Sequence, residues 1–136
     1  MSVEDAVKSE NEQSGKTRLL LVDDEEGYLS VLAKRLSRRN FVVKTALSGT
    51  EAIRILRAES FDVAVLDLKM EDMDGIEVLK VFKAMAPEMP VIILTGHGSE
   101  TAAREGMELG AADYLLKPCD ISELVEHIKK ACASDL

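Results

Sequence analysis

Five side chains of three chemical kinds stand directly after short apolar runs in this sequence. They are the carboxylates of Asp23 and Asp24 after Arg18–Val22, the carboxylate of Asp67 after Asp62–Leu66, the hydroxyl of Thr95 after Val91–Leu94, and the ammonium of Lys117 after Asp113–Leu116. Carboxylates gathered at one place repel one another, and their pKa values rise unless a cation neutralises them. Donors that are all oxygen suit a hard divalent ion, with Mg²⁺ the first candidate. No D-x-[DN]-x-[DN]-G loop is present, and Mg²⁺ held by few protein ligands keeps waters and completes its shell with a phosphoryl oxygen. A hydroxyl and an ammonium both donate to phosphoryl oxygens. A carboxylate can itself be the nucleophile, forming an acyl phosphate.

For these groups to meet, the chain must bring the end of every run to one edge. The runs are of strand length, and a less apolar one, Phe41–Ala46, joins them. Continuous apolar runs fit strands buried on both faces of a parallel sheet. Between them lie stripes at helical spacing: Leu29, Leu32, Ala33 and Leu36; Ala52, Ile55 and Leu56; Val78, Val81, Phe82 and Met85. A weak, Ala- and Gly-rich stretch near Ser99–Leu109 makes the fourth helix, and Ile121, Leu124, Val125 and Ile128 mark the last, Asp120 to about Cys132. Ser48-Gly49-Thr50-Glu51 has the form of a capping box, Asp74 with Glu77 and Asp120 with Glu123 place acids at helix starts, and Asn40 and Gly110 suit helix stops. Strands alternating with helices specify an α/β fold, a doubly wound parallel five-stranded sheet of the flavodoxin-like (βα)5 kind with strand order 2-1-3-4-5. Ligands of such sheets sit beyond the carboxyl ends of the strands, near the switch point between strands one and three, where the five residues fall.

A length of 136 residues fits one domain, expected at 18–132, with a polar acidic tail over 1–17, a short end at 133–136 and no second domain after the last helix. The formal charge of -8 argues against direct contact with nucleic acid. No apolar run is long enough to span a bilayer, and the tail lacks the apolar segment of a secretory signal. Cys119 and Cys132 lack metal-ligand spacing and suit a reducing compartment, so the expected location is cytoplasmic.

Val22-Asp23-Asp24-Glu25, Leu66-Asp67-Leu68-Lys69-Met70 continuing to Met73-Asp74-Gly75, Leu94-Thr95-Gly96 and Tyr114-Leu115-Leu116-Lys117-Pro118 together resemble the response-regulator receiver family, over about Arg18 to Ala131. The resemblance implies that Asp67 receives the phosphoryl group from a sensor histidine kinase or phosphotransfer protein. It implies Mg²⁺ held by Asp24, Asp67 and the backbone carbonyl of Lys69, with Asp23 acting through water, and Lys117 binding a phosphoryl oxygen. Thr95 and Tyr114 would be the switch pair, changing the surface of helix four, strand five and helix five for a downstream protein, a fused output domain or a phosphorylation-dependent homodimer. Lys117-Pro118 would be a cis peptide.

The sequence departs from the family pattern at two places: Glu71 stands where proline is common, and Cys119 where phenylalanine is. Lys69 and His97 stand where the family influences water access to the acyl phosphate, although both also read as solvated loop residues, and Gly96 either leaves room for a donor or serves its turn. Tyr114 has the plain alternative of a half-buried strand aromatic. Asp72 and Asp74 read as helix caps, and His127 as a surface histidine without a partner. An aspartyl-nucleophile phosphohydrolase uses similar groups, but needs an acid two residues after the nucleophile, where Lys69 stands. A receiver that only binds partners would have lost key acids, and none is lost.

Overall fold

The computed structural model describes residues 16–133. The expected tail lies outside the described residues up to residue 15, as do residues 134–136 of the expected end.

Strands and helices alternate throughout: β1 (Thr17–Val22), α1 (Glu26–Ser37), β2 (Phe41–Ala46), α2 (Gly49–Ala58), β3 (Val63–Leu66), α3 (Gly75–Met85), β4 (Val91–Thr95), α4 (Glu100–Glu108), β5 (Asp113–Leu116) and α5 (Ile121–Ala133). All pairings are parallel, in the order β2-β1-β3-β4-β5, as the sequence predicts. Successive strand side chains point to opposite faces, which splits the core in two. Leu20, Val22, Ala64, Leu66 and Ile93 pack under α2, α3 and α4, whereas Leu19, Leu21, Val63, Val65, Ile92 and Leu94 pack under α1 and α5.

The third helix differs in detail from its expected stripe. Val78, Leu79 and Phe82 are buried, whereas Val81 is half-buried and Met85 is 37% exposed. Positions 78, 81, 82 and 85 and positions 78, 79 and 82 are both apolar sets at helical spacing, so periodicity alone could not choose the face. The weak stripe of α4 has a packing reason, since the helix buries only Ala103 and Gly106. A Cβ on Gly106 would lie 2.4 Å from Ile93 Cδ1, so small residues let this helix sit close to β4.

The capping signals hold in part. Ser48 accepts from the Glu51 N–H at 3.1 Å, but the Glu51 carboxylate reaches the N–H of Leu47, at 3.4 Å, in place of that of Ser48. Asp74 caps α3 through the Ile76 N–H. Asp72 caps a different helix from the one it precedes, taking the N–H groups of Gly49 and Thr50 and the Thr50 hydroxyl at the start of α2. Asn40 and Gly110 both have positive φ, 74° and 106°, and Lys117-Pro118 is cis.

Candidate functional site

Sheet hydrogen bonding continues one residue past the strands and fixes the backbone of the site. The N–H of Asp23 donates to the carbonyl of Ala46, that of Asp67 to Val22, and that of Lys117 to Thr95. Asp23, Asp67 and Thr95 are buried, at 3%, 4% and 0% exposure, so what surrounds their polar atoms decides their chemistry.

Asp67 uses both carboxylate oxygens. Oδ1 accepts from Thr95 Oγ1 at 2.8 Å and from the Lys69 N–H at 3.1 Å, and Oδ2 accepts from Lys117 Nζ at 3.1 Å. The same ammonium donates to Asp23 Oδ2 at 2.6 Å and lies 3.5 Å from Glu25 Oε1. Asp23 Oδ1 accepts from the Glu25 N–H. Tyr28, in the first turn of α1, places its ring under Lys117, 4.5 Å from Nζ to the centroid.

Burial pushes the Asp23 carboxyl above its ordinary value, with the charge of Asp67 adding to the rise and Lys117 and the Glu25 N–H opposing it. Burial pulls Lys117 down, but the hydrogen bond to Asp23 and the charges of Asp67 and Asp23 outweigh it and raise the ammonium. An isolated ion pair would lower its carboxyl. Here one ammonium serves two buried carboxylates, so burial outweighs Lys117 at Asp23, which is left short of positive charge.

That shortage tests whether a divalent ion fits. Asp23, Glu25 and Asp67 each offer an oxygen, all within 4.8 Å of one another, and Lys117 balances only one of the three charges. The residues therefore fit a divalent cation. Nothing in the sequence distinguishes Glu25 within its acidic run, although it adjoins the expected pair. Asp24 lies on the flank of this group, with Oδ2 accepting the Glu71 N–H at 3.1 Å. A proline at 71 has no N–H to give, so the departure at that position bears directly on Asp24.

The other expected residues stand farther out. Lys69 has an exposed side chain reaching toward Gly98. His97 is 74% exposed beside Glu100, and Gly96 faces open space. Tyr114 is half-buried and packs against the α2, α3 and α4 layer. His127 is not without a partner: its Nδ1 meets Asp113 at the start of β5, because α5 packs back along the sheet. No described helix is long and apolar enough to cross a membrane.

A flavodoxin-like sheet carrying this acid, hydroxyl and ammonium group at its switch point defines the class. Within it, the model of the response regulator receiver domain matches residues 19–129, and the chain belongs to that family. The photosynthetic apparatus regulatory protein RegA of Cereibacter sphaeroides is 42% identical over 106 residues, covering 78% of this chain and 58% of that protein. The transcriptional regulatory protein ZraR of Salmonella typhimurium is 39% identical over 119 residues, covering 88% of this chain and 27% of that protein. The chain thus spans less than two thirds of either relative. A crystal structure of a response regulator receiver domain protein from Clostridium thermocellum matches with a TM-score of 0.83 at 36% identity, covering 88% of this chain and 96% of that one.

Proposed function

We propose that the domain accepts a phosphoryl group on Asp67 from the phosphohistidine of a sensor histidine kinase or phosphotransfer protein, in a Mg²⁺-dependent reaction. The observation that carries this is the arrangement around Asp67, a buried carboxylate whose two oxygens are held by a hydroxyl, a backbone N–H and an ammonium. A carboxylate oxygen attacks phosphorus; the new P–O bond forms as the P–N bond of the donor breaks, and the imidazole keeps the electron pair and takes up a proton. Lys117 and the Thr95 hydroxyl meet the phosphoryl oxygens. Asp23, Asp67, Asp24 and the Lys69 carbonyl, with Glu25 beside them, would hold Mg²⁺, which supplies charge neutralisation at the phosphoryl group. Catalysis is limited to the domain's own phosphorylation and hydrolysis.

The output follows from charge. Phosphorylation replaces the single charge of the Asp67 carboxylate with a phosphoryl group carrying about 1.5 to 2 negative charges and three acceptor oxygens. Thr95 turns to the phosphoryl group, Tyr114 moves into the space it leaves, and the face of α4, β5 and α5 changes for a downstream protein, a fused output domain or a second copy. Nucleic-acid contact is left to other domains, and the cytoplasm suits both donor and thiols. The test is incubation of the full chain with Mg²⁺ and acetyl phosphate, followed by intact mass. The wild type gains one phosphoryl group and Asp67→Asn gains none; a gain that does not depend on Asp67, or no gain at all, overturns the assignment.

A further inference from the structure

We propose that Tyr28 is a positioning residue for Lys117, its ring face holding the ammonium in place while Asp67 passes from carboxylate to acyl phosphate. This rests on the reading of Asp67 as phosphoacceptor. Lys117 is tied to two carboxylates, more closely to Asp23 (2.6 Å) than to Asp67 (3.1 Å). Phosphorylation moves the negative charge from the Asp67 carboxylate outward onto the phosphoryl oxygens while Asp23 stays where it is, so the ammonium, on a flexible four-carbon stem, has to shift toward the phosphoryl group without leaving Asp23.

The Tyr28 ring offers an attraction that does not depend on the state of Asp67. Its face lies 4.5 Å from Nζ, inside the roughly 6 Å over which a ring quadrupole attracts a cation. A ring face takes no single N–H in a fixed direction. The three donors of the ammonium remain free to serve Asp23 and to follow the new phosphoryl oxygen. Partial burial of both groups strengthens the contact, since Lys117 is 13% exposed and Tyr28 half-buried. Tyr28 also packs at the margin of the α1 and α5 core layer. Phenylalanine there keeps packing and ring face, whereas leucine and methionine keep only apolar bulk, so comparing them separates the two roles.

The test measures initial rates of Asp67 phosphorylation by acetyl phosphate and Mg²⁺ in the full chain, with Tyr28→Phe, Tyr28→Leu and Tyr28→Met. The NMR shift of the Lys117 ε-methylene, displaced upfield by ring current in the wild type, is recorded alongside. Tyr28→Phe should stay within about twofold of wild type and keep the shift; the other two should be slower by about three- to tenfold and lose it. Leucine and methionine variants as fast as wild type, or a phenylalanine variant as slow as they are, overturn the role. Should Tyr28→Leu fail to fold, Tyr28→Met decides. Failure of the phosphoacceptor reading is distinct, because it appears as no phosphorylation of the wild type and takes this inference with it.

Discussion

Thr95 Oγ1 donates to Asp67 Oδ1 over 2.8 Å, between residues that are 0% and 4% exposed. The two stand at the ends of neighbouring strands, β4 and β3. A hydroxyl has one proton to give, so the Thr95 proton serves either the carboxylate or a phosphoryl oxygen. On the proposed reading of Asp67 as phosphoacceptor, its chemical state therefore sets which way Thr95 points.

Thr95→Val keeps the shape and removes the proton. The expected outcome is a domain that still takes a phosphoryl group on Asp67, because Lys117 and the Lys69 N–H remain, but no longer passes the change to Tyr114. NMR shifts of Tyr114 and α4 on adding Mg²⁺ and beryllofluoride check this. Shifts as large as in the wild type would show that the hydroxyl carries no signal.

Lys117→Met removes the only ammonium that touches both Asp23 and Asp67 among the described residues. The variant should lose about 2 kcal/mol of stability at neutral pH in EDTA, the cost of leaving buried acceptors without their donor. Added Mg²⁺ should raise its melting temperature more than that of the wild type, since the ion restores missing positive charge. Phosphorylation by acetyl phosphate should slow by about a hundredfold. Equal gains from Mg²⁺ in both proteins would contradict the charge argument.

Glu71→Pro deletes the N–H that Asp24 Oδ2 accepts. Freed of that bond, worth about 1 kcal/mol, Asp24 should turn to Mg²⁺ and tighten its binding by about fivefold, measured by titration calorimetry. Unchanged affinity would mean that this bond does not hold Asp24 back.

The architecture was legible because apolar runs in a parallel sheet are buried on both faces, and because such sheets put chemistry after their strands. That placed Asp23, Asp67, Thr95 and Lys117 together. What stayed hidden depended on side-chain direction across long separations. Nothing in the local sequence around Asp72 points to α2, 22 residues earlier, and nothing around His127 points to Asp113. Nothing in the sequence around Tyr28 points to Lys117, because a ring declares its cation only when the fold supplies one.

Two glycines in helices should respond differently to alanine. At Gly75 a Cβ would lie 2.3 Å from the Leu68 Cα and 2.6 Å from its carbonyl oxygen, whereas at Gly106 the nearest atom is the end of the Ile93 side chain, at 2.4 Å. Backbone cannot step aside as a methyl can. Gly75→Ala should therefore cost about 3 kcal/mol or more and disturb the loop after Asp67, and Gly106→Ala about 1 kcal/mol. Denaturant unfolding of both variants checks the order, and equal costs would contradict it.

Asp72 fastens the loop after β3 to the start of α2 by three hydrogen bonds. Desolvation acts to raise its carboxyl, but the N–H groups of Thr50 and Gly49 and the Thr50 hydroxyl outweigh it and hold the group below its ordinary value of 3.8. A folded value below the unfolded one means that the ionised form stabilises the fold. The contribution is complete above about pH 4 and fades as pH falls through the lowered folded value. Asp72→Ala should lose about 1 kcal/mol at pH 7, as for a helix cap, and the gap to wild type should close toward pH 2. Paired thermal melts from pH 7 to 2 decide this, because groups common to both proteins cancel in the difference. A gap that held constant with pH would mean that Asp72 acts through the shape of its side chain and not through its charge.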